Sequence, residues 1–137
     1  MAKPKCSIIV DGELPPGLVA NTVGVIAMAL GKLAPEAMGR DGVDQDGKRH
    51  QGLAWMGVTV LQGNKEVISD IFTRIGENET DLLIVDCPVV AQATRDYDEY
   101  LEMLSRQGGP ELRLSGIGLY GNGKKIAKLT GNLHLLR

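Results

Sequence analysis

A chain of 137 residues with 43% hydrophobic and 23% charged residues and a formal charge of -2 has the size and balance of one domain with one core. Those values exclude an intrinsically disordered chain and a globally basic coat for polyanions. With 4% aromatic residues, stacking platforms for single-stranded nucleic acid have little to be built from.

In chain order, Ser7-Ile8-Ile9-Val10 closed by Asp11-Gly12 reads as a buried strand running into a turn. Pro15-Pro16-Gly17 punctuates the chain, and from Leu18 the pattern is helical. Val19, Val23, Ile26, Leu30 and Leu33 form one stripe, and Ala20, Gly24, Ala27 and Gly31 a second, small one that lets a neighbouring backbone approach. The uncharged run Leu14 to Gly31 contains Pro15, Pro16, Asn21 and Thr22 and falls short of the roughly 20 apolar residues of a membrane span. It reads as a buried helix, and no membrane partner is expected. Gly39 to Gly52 is polar and reads as a surface loop.

Gly57 to Leu61 is a second strand. Asn64 caps a helix with Val67, Ile68, Ile71 and Ile75 on one face, ended by Gly76. Leu82 to Val85 is an apolar strand covered on both faces that stops at Asp86-Cys87-Pro88. Asp96 caps the next helix with Glu99 in capping-box position, and Tyr97, Tyr100, Leu101 and Leu104 are its inner stripe, before Gly108-Gly109-Pro110 ends it. Leu112 to Ile117 is the fourth strand, followed by a glycine-rich loop, a short helix from about Lys124 to Leu129 and an apolar tail. The alternation predicts a single α/β domain over residues 1–137, a three-layer α-β-α arrangement with a four-stranded mixed sheet.

Several residues carry candidate chemistry. Gly116, Gly118 and Gly121 spell G-x-G-x-x-G, and Gly118 to Lys124 spells G-x-x-x-x-G-K. Between a strand and a helix such glycines free backbone N–H groups to hold an anion. Lys125 stands where Ser or Thr would bind magnesium, and the chain after Gly121 is too short for the second half of a dinucleotide fold. The bland alternative is a tight strand-to-helix turn with solvated lysines. Asp86 ends an apolar strand, where open α/β sheets place their chemistry, and partial burial would tune it as a general base; it would otherwise cap the turn before Pro88. Asn21 interrupts an apolar helix and either faces a pocket or bonds a nearby carbonyl. Cys6 and Cys87 have no His or Cys at metal-ligand spacing and read as buried inert thiols. Asp44-Gln45-Asp46-Gly47 imitates a calcium loop, but Gly42 and Leu53 occupy its first and twelfth ligand positions. No metal or cofactor is therefore expected, and the cysteine usage and lack of a cleavable leader pattern predict a reduced, cytoplasmic protein.

The closing run from Gly116 through Thr130-Gly131-Asn132-Leu133 resembles the end of type II peptidyl-tRNA hydrolases, a G-I-G turn leading into a helix that ends in V-T-G-x-L. Asp86 matches the aspartate of that family's D-A-G segment. The L-P-P-G-L-x-x-N start, the D-Y-x-x-Y helix and the L-Y-G…K-L-T-G-x-L end are similar, more closely, to a bacterial family known only as a domain of unknown function that shares the hydrolase fold. The likeness covers nearly the whole chain and implies that fold and two-fold association. The hydrolases' first helix opens G-K-x-A-x-Q and then carries a His, whereas here Leu18 follows Gly17 and Thr22 and Val25 stand at the Gln and His positions. Arg113 replaces the threonine before the G-I-G turn. Of the polar set for ester cleavage only Asp86 remains, and one carboxylate cannot both activate water and stabilise an oxyanion.

The sequence thus predicts a protein that binds a small anionic ligand and lacks hydrolase activity. Its site lies where Asp86 and the glycine-rich turn converge, built from Asn21, Gly116, Gly118, Tyr120, Asn122 and Lys124. Two alternatives stand beside it: a hydrolase of an acylated, tRNA-like ester with Asp86 as base, tRNA being the less favoured partner, and a homodimeric assembly module.

Overall fold

A computed structural model of the chain describes residues 3–78 and 81–137. In chain order its elements are β1 (Pro4–Asp11), α1 (Pro16–Leu33), β2 (Gly42–Val43), β3 (Arg49–His50), β4 (Thr59–Gly63), α2 (Lys65–Asn78), β5 (Leu83–Pro88), α3 (Tyr97–Ser105), β6 (Leu114–Asn122), α4 (Gly123–Thr130) and β7 (His134–Leu135). The apolar run of β1 places it at the middle of the sheet, with Ile8, Ile9 and Val10 removed from solvent. The sheet order is β5-β6-β1-β4-β7. β1 and β4 are parallel, while β6 runs antiparallel to both β1 and β5.

Each sheet face has its own core. On one face α1 lays Ile26 and Leu30 over Ile8, Cys6 and Tyr120. On the other, Ile68, Ile71 and Ile75 of α2 and Ile126 of α4 cover Ile9, Leu61, Ile117 and Leu119. Two of the predicted caps are made: the Val67 N–H donates to Asn64 Oδ1 at 2.9 Å and the Glu99 N–H to Asp96 Oδ1 at 2.9 Å. α2 continues past Gly76 to Asn78.

The sheet has five strands, not the four expected. The tail supplies the fifth, pairing Leu135 with Leu61 and His134 with Gln62. Inside the expected surface loop, Gly42–Val43 and Arg49–His50 form a separate hairpin. Two-residue strands have no periodicity to read, so only their pairing reveals them.

A second correction concerns the glycine-rich run. Instead of a loop it is strand, since β6 continues to Asn122. A Cβ on Gly118 would lie 2.3 Å from Ile26 Cγ2, and one on Gly116 2.7 Å from Thr22 Cγ2. These glycines let α1 settle onto the sheet, the close-approach role of glycine in strands.

α1 is not the buried helix expected. It buries only Thr22, Ile26 and Leu30, and Met28 is 81% exposed. Ala20, Gly24 and Ala27 of the small stripe are exposed, and a Cβ on Gly24 would meet nothing within 4 Å. Among the described residues α1 is the one helix long and apolar enough to cross a membrane, by length and composition; here it docks on the sheet.

Candidate functional site

Because β6 is antiparallel to its neighbours, its start lies beside the carboxyl ends of β1 and β5. Asp11, Asp86-Cys87-Pro88 and Ser115 therefore share one end of the sheet, the end at which α/β sheets place ligands. Asp86 sits on edge strand β5 opposite Ile117. It lines a cleft of about 560 Å³ between Val25 and Ala29 of α1, the turn at Ala91 and the start of α3 with Tyr97 and Tyr100.

The half-buried Asp86 carboxylate is bonded by no other side chain among the described residues, and desolvation pushes its pKa above the ordinary value, with its own backbone N–H opposing. Burial also raises the Tyr100 phenol, and the negative charge of Asp86 adds to it. Burial raises the Cys87 thiol, against the Ser115 hydroxyl, which lowers it. A thiol held protonated is a poor nucleophile. His50, on β3, lies 2.8 Å from Asp44 Oδ2, and His134 is on β7, at the edge of the sheet opposite β5. Neither lines the cleft.

The raised Asp86 pKa has a sign that can be measured. The folded state holds the proton more tightly than the unfolded state, so Asp86 subtracts stability as pH rises from its ordinary value of 3.8 through the folded value. Asp86→Asn removes that cost. Urea denaturation is expected to show the variant more stable than wild type at pH 7, the gap closing as pH falls below 3.8; a gap independent of pH would mean that burial does not tax this carboxylate.

A network of buried polar groups lies alongside, unread in the sequence. Thr22 and Ser115 are buried. The Thr22 hydroxyl donates to the Leu18 carbonyl at 2.8 Å and lies 3.3 Å from Ser115 Oγ, which donates to the Cys87 carbonyl at 3.0 Å. Gln92 Nε2 approaches Thr22 Oγ1 at 2.8 Å, the Leu18 carbonyl at 3.1 Å and Asn21 Oδ1 at 3.2 Å, three acceptors for two protons. Asn21 thus bonds Gln92 at the surface. Asp11 is 1% exposed, and its Oδ1 accepts the Glu13 N–H at 3.0 Å. Thr22 carries the same signal in the sequence as Asn21, a polar residue in an apolar helix; its partners on β6 and after β5 are visible only in three dimensions.

The structure divides the residues predicted to form one anion site. Gly116 faces Cys87 across the ladder, but Tyr120 faces Leu83, and the five steps from Ile117 to Asn122 span about 17 Å of strand. Asn122 spends its Oδ1 capping α4, accepting from Lys124 N at 3.0 Å and Lys125 N at 3.2 Å. Gly116, Gly118 and Tyr120 are buried, and Lys124 is exposed at the end of the sheet away from Asp86. Asn21 and Asp86 stay at the carboxyl end. Among the described residues no group of three or more His, Cys, Asp or Glu is placed to hold a metal ion.

Residues 4–137 match a family described as a protein of unknown function, DUF2000. The chain belongs to the DUF2000 family. It is also similar to a solved structure, the protein of unknown function Atu0240 from Agrobacterium tumefaciens strain C58, with 18% identity, a TM-score of 0.88 and 98% of each chain covered. At that identity the likeness shows a shared fold. No curated protein matches the chain. For this DUF2000 chain the function has to be argued from the cleft.

Proposed function

We propose that this protein binds a small polar ligand in the Asp86 cleft, the ligand placing an amine or hydroxyl against the carboxylate. The observation that carries the reading is a half-buried carboxylate on a cleft wall with no cation or donor side chain among the described residues bonded to it. Most of the cleft is apolar, with few convergent polar groups and a perturbed carboxyl beside two perturbed weaker acids, Cys87 and Tyr100, the usual composition of a ligand site. Arg95 is the cation among the lining residues, and an anionic group on the same ligand would meet it rather than Lys124.

A thermal-shift panel of amino acids, acyl-amino acids, sugar phosphates and nucleotides tests this. A ligand at one hundred times its dissociation constant adds about 2.7 kcal/mol, several degrees for a domain of this size. Asp86→Asn is expected to remove the shift and Lys124→Ala to leave it. The reverse pattern would return the site to the glycine-rich end.

The raised Asp86 pKa favours a second reading, a hydrolase of an acylated, tRNA-like ester, as the likeness to type II peptidyl-tRNA hydrolases implies. Asp86 would then be the general base. Turnover of an N-acylated aminoacyl-tRNA that Asp86→Asn abolishes would establish it. The outer face of α1, with Met28 and the small residues Ala20 and Gly24 exposed, supports self-association into a homodimer; sedimentation showing only monomer at micromolar concentration would count against it.

A further inference from the structure

A separate cavity of about 180 Å³ lies on the other flank of α1, away from Asp86. Its floor is Cys6 and Ile8 of β1 and Tyr120 of β6, and its roof is the segment carrying Met38, Ala54 and Met56. Of the side chains that line it, only Tyr120 carries an oxygen or nitrogen atom, and Glu36 faces that phenol.

Two features keep this space open. Small residues line it from three segments: Ala27 and Gly31 of α1, Ala34 and Ala37 after it, and Ala54 in the roof. The roof is fixed by its own hydrogen bonds. The Gly39 N–H donates to the Leu53 carbonyl at 2.7 Å, the Trp55 N–H to the Ala37 carbonyl at 3.1 Å and the Trp55 indole to the Glu36 carbonyl at 2.9 Å. These bonds tie the roof to residues 36–39 after the end of α1. An apolar cavity of about 150 Å³ stays dry and admits benzene.

We infer that this cavity is a binding site for a small apolar ligand, a hydrocarbon group of about benzene's size, seated between α1 and the 37–58 segment. Met38 and Val58, both partly exposed at the rim, form the entrance, and the flexible thioethers of Met38 and Met56 adapt to its shape. The site is independent of the Asp86 cleft.

Benzene is the probe, titrated into the full chain carrying ¹³C-methyl methionine. Saturable shifts of the Met38 and Met56 methyls are expected, with Met28 on the outer face of α1 and Met103 on α3 unmoved. A Cβ on Gly31 would have as its nearest neighbour Met38 Sδ, at 4.0 Å, so Gly31→Leu starts into the cavity in ordinary contact and its remaining carbons displace the flexible Met38 thioether. That variant is expected to fold and to lose saturable binding; Ala54→Leu, filling from the roof, is expected to lose it too. Gly24→Ala, on open helix surface, and Asp86→Asn are expected to bind benzene as wild type does, which separates this site from the cleft. Absence of saturation in the wild type, equal movement of the Met28, Met38, Met56 and Met103 methyls, or undiminished binding in both filled variants would overturn the inference.

Discussion

Replacing Gly118 with valine is expected to destabilise the protein by about 3 kcal/mol or more, the upper range for overpacking a core. The first added carbon would already stand 2.3 Å from Ile26 Cγ2 and 2.8 Å from Leu30 Cδ1. Relief requires α1 to lift from the sheet, and the hydrogen bonds linking Thr22 to Gln92 and Ser115 oppose that movement. Gly24→Ala serves as the contrast: with nothing within 4 Å of its Cβ, it is expected to stabilise by about 0.5–1 kcal/mol through helix propensity. Urea denaturation measures both. A loss below about 1 kcal/mol in Gly118→Val would show that the glycine is not holding space for α1.

Ile26→Ala is expected to cost about 2–5 kcal/mol, because Ile26 is fully buried and its loss opens a cavity where α1 meets β6. The more telling experiment pairs it with Gly118→Ala. The new methyl enters space that Ile26 Cγ2 has vacated, so the double variant is expected to lose less than the sum of the singles, with a coupling of about 0.5–3 kcal/mol. Additivity within about 0.5 kcal/mol would mean that the helix shifts to absorb each change separately. Coupling would show that Gly118 keeps space for Ile26 where α1 meets β6.

The sequence by itself determined the α/β class, the strands around Ile8-Ile9-Val10 and Leu83-Ile84-Val85, the helices after them, and the caps at Asn64 and Asp96. Each of these is written within a few neighbouring residues, as periodicity or as a side chain able to accept a backbone N–H. It also singled out Asp86, although the strand expected to stop there runs on to Pro88. Only the tertiary structure decided the direction of β6, and with it whether Lys124 or Ser115 lies beside Asp86, because strand direction depends on pairing between distant segments. The same holds for β7, for the β2–β3 hairpin and for the Thr22, Ser115 and Gln92 network. For Gly116 and Gly118 the local pattern offers an anion-binding loop or a tight turn, and the structure puts both glycines in β6 beneath α1. The outer face of α1 and the cavity beside Gly31 are likewise products of assembly, since helical periodicity says which residues share a face but not which face the sheet will cover.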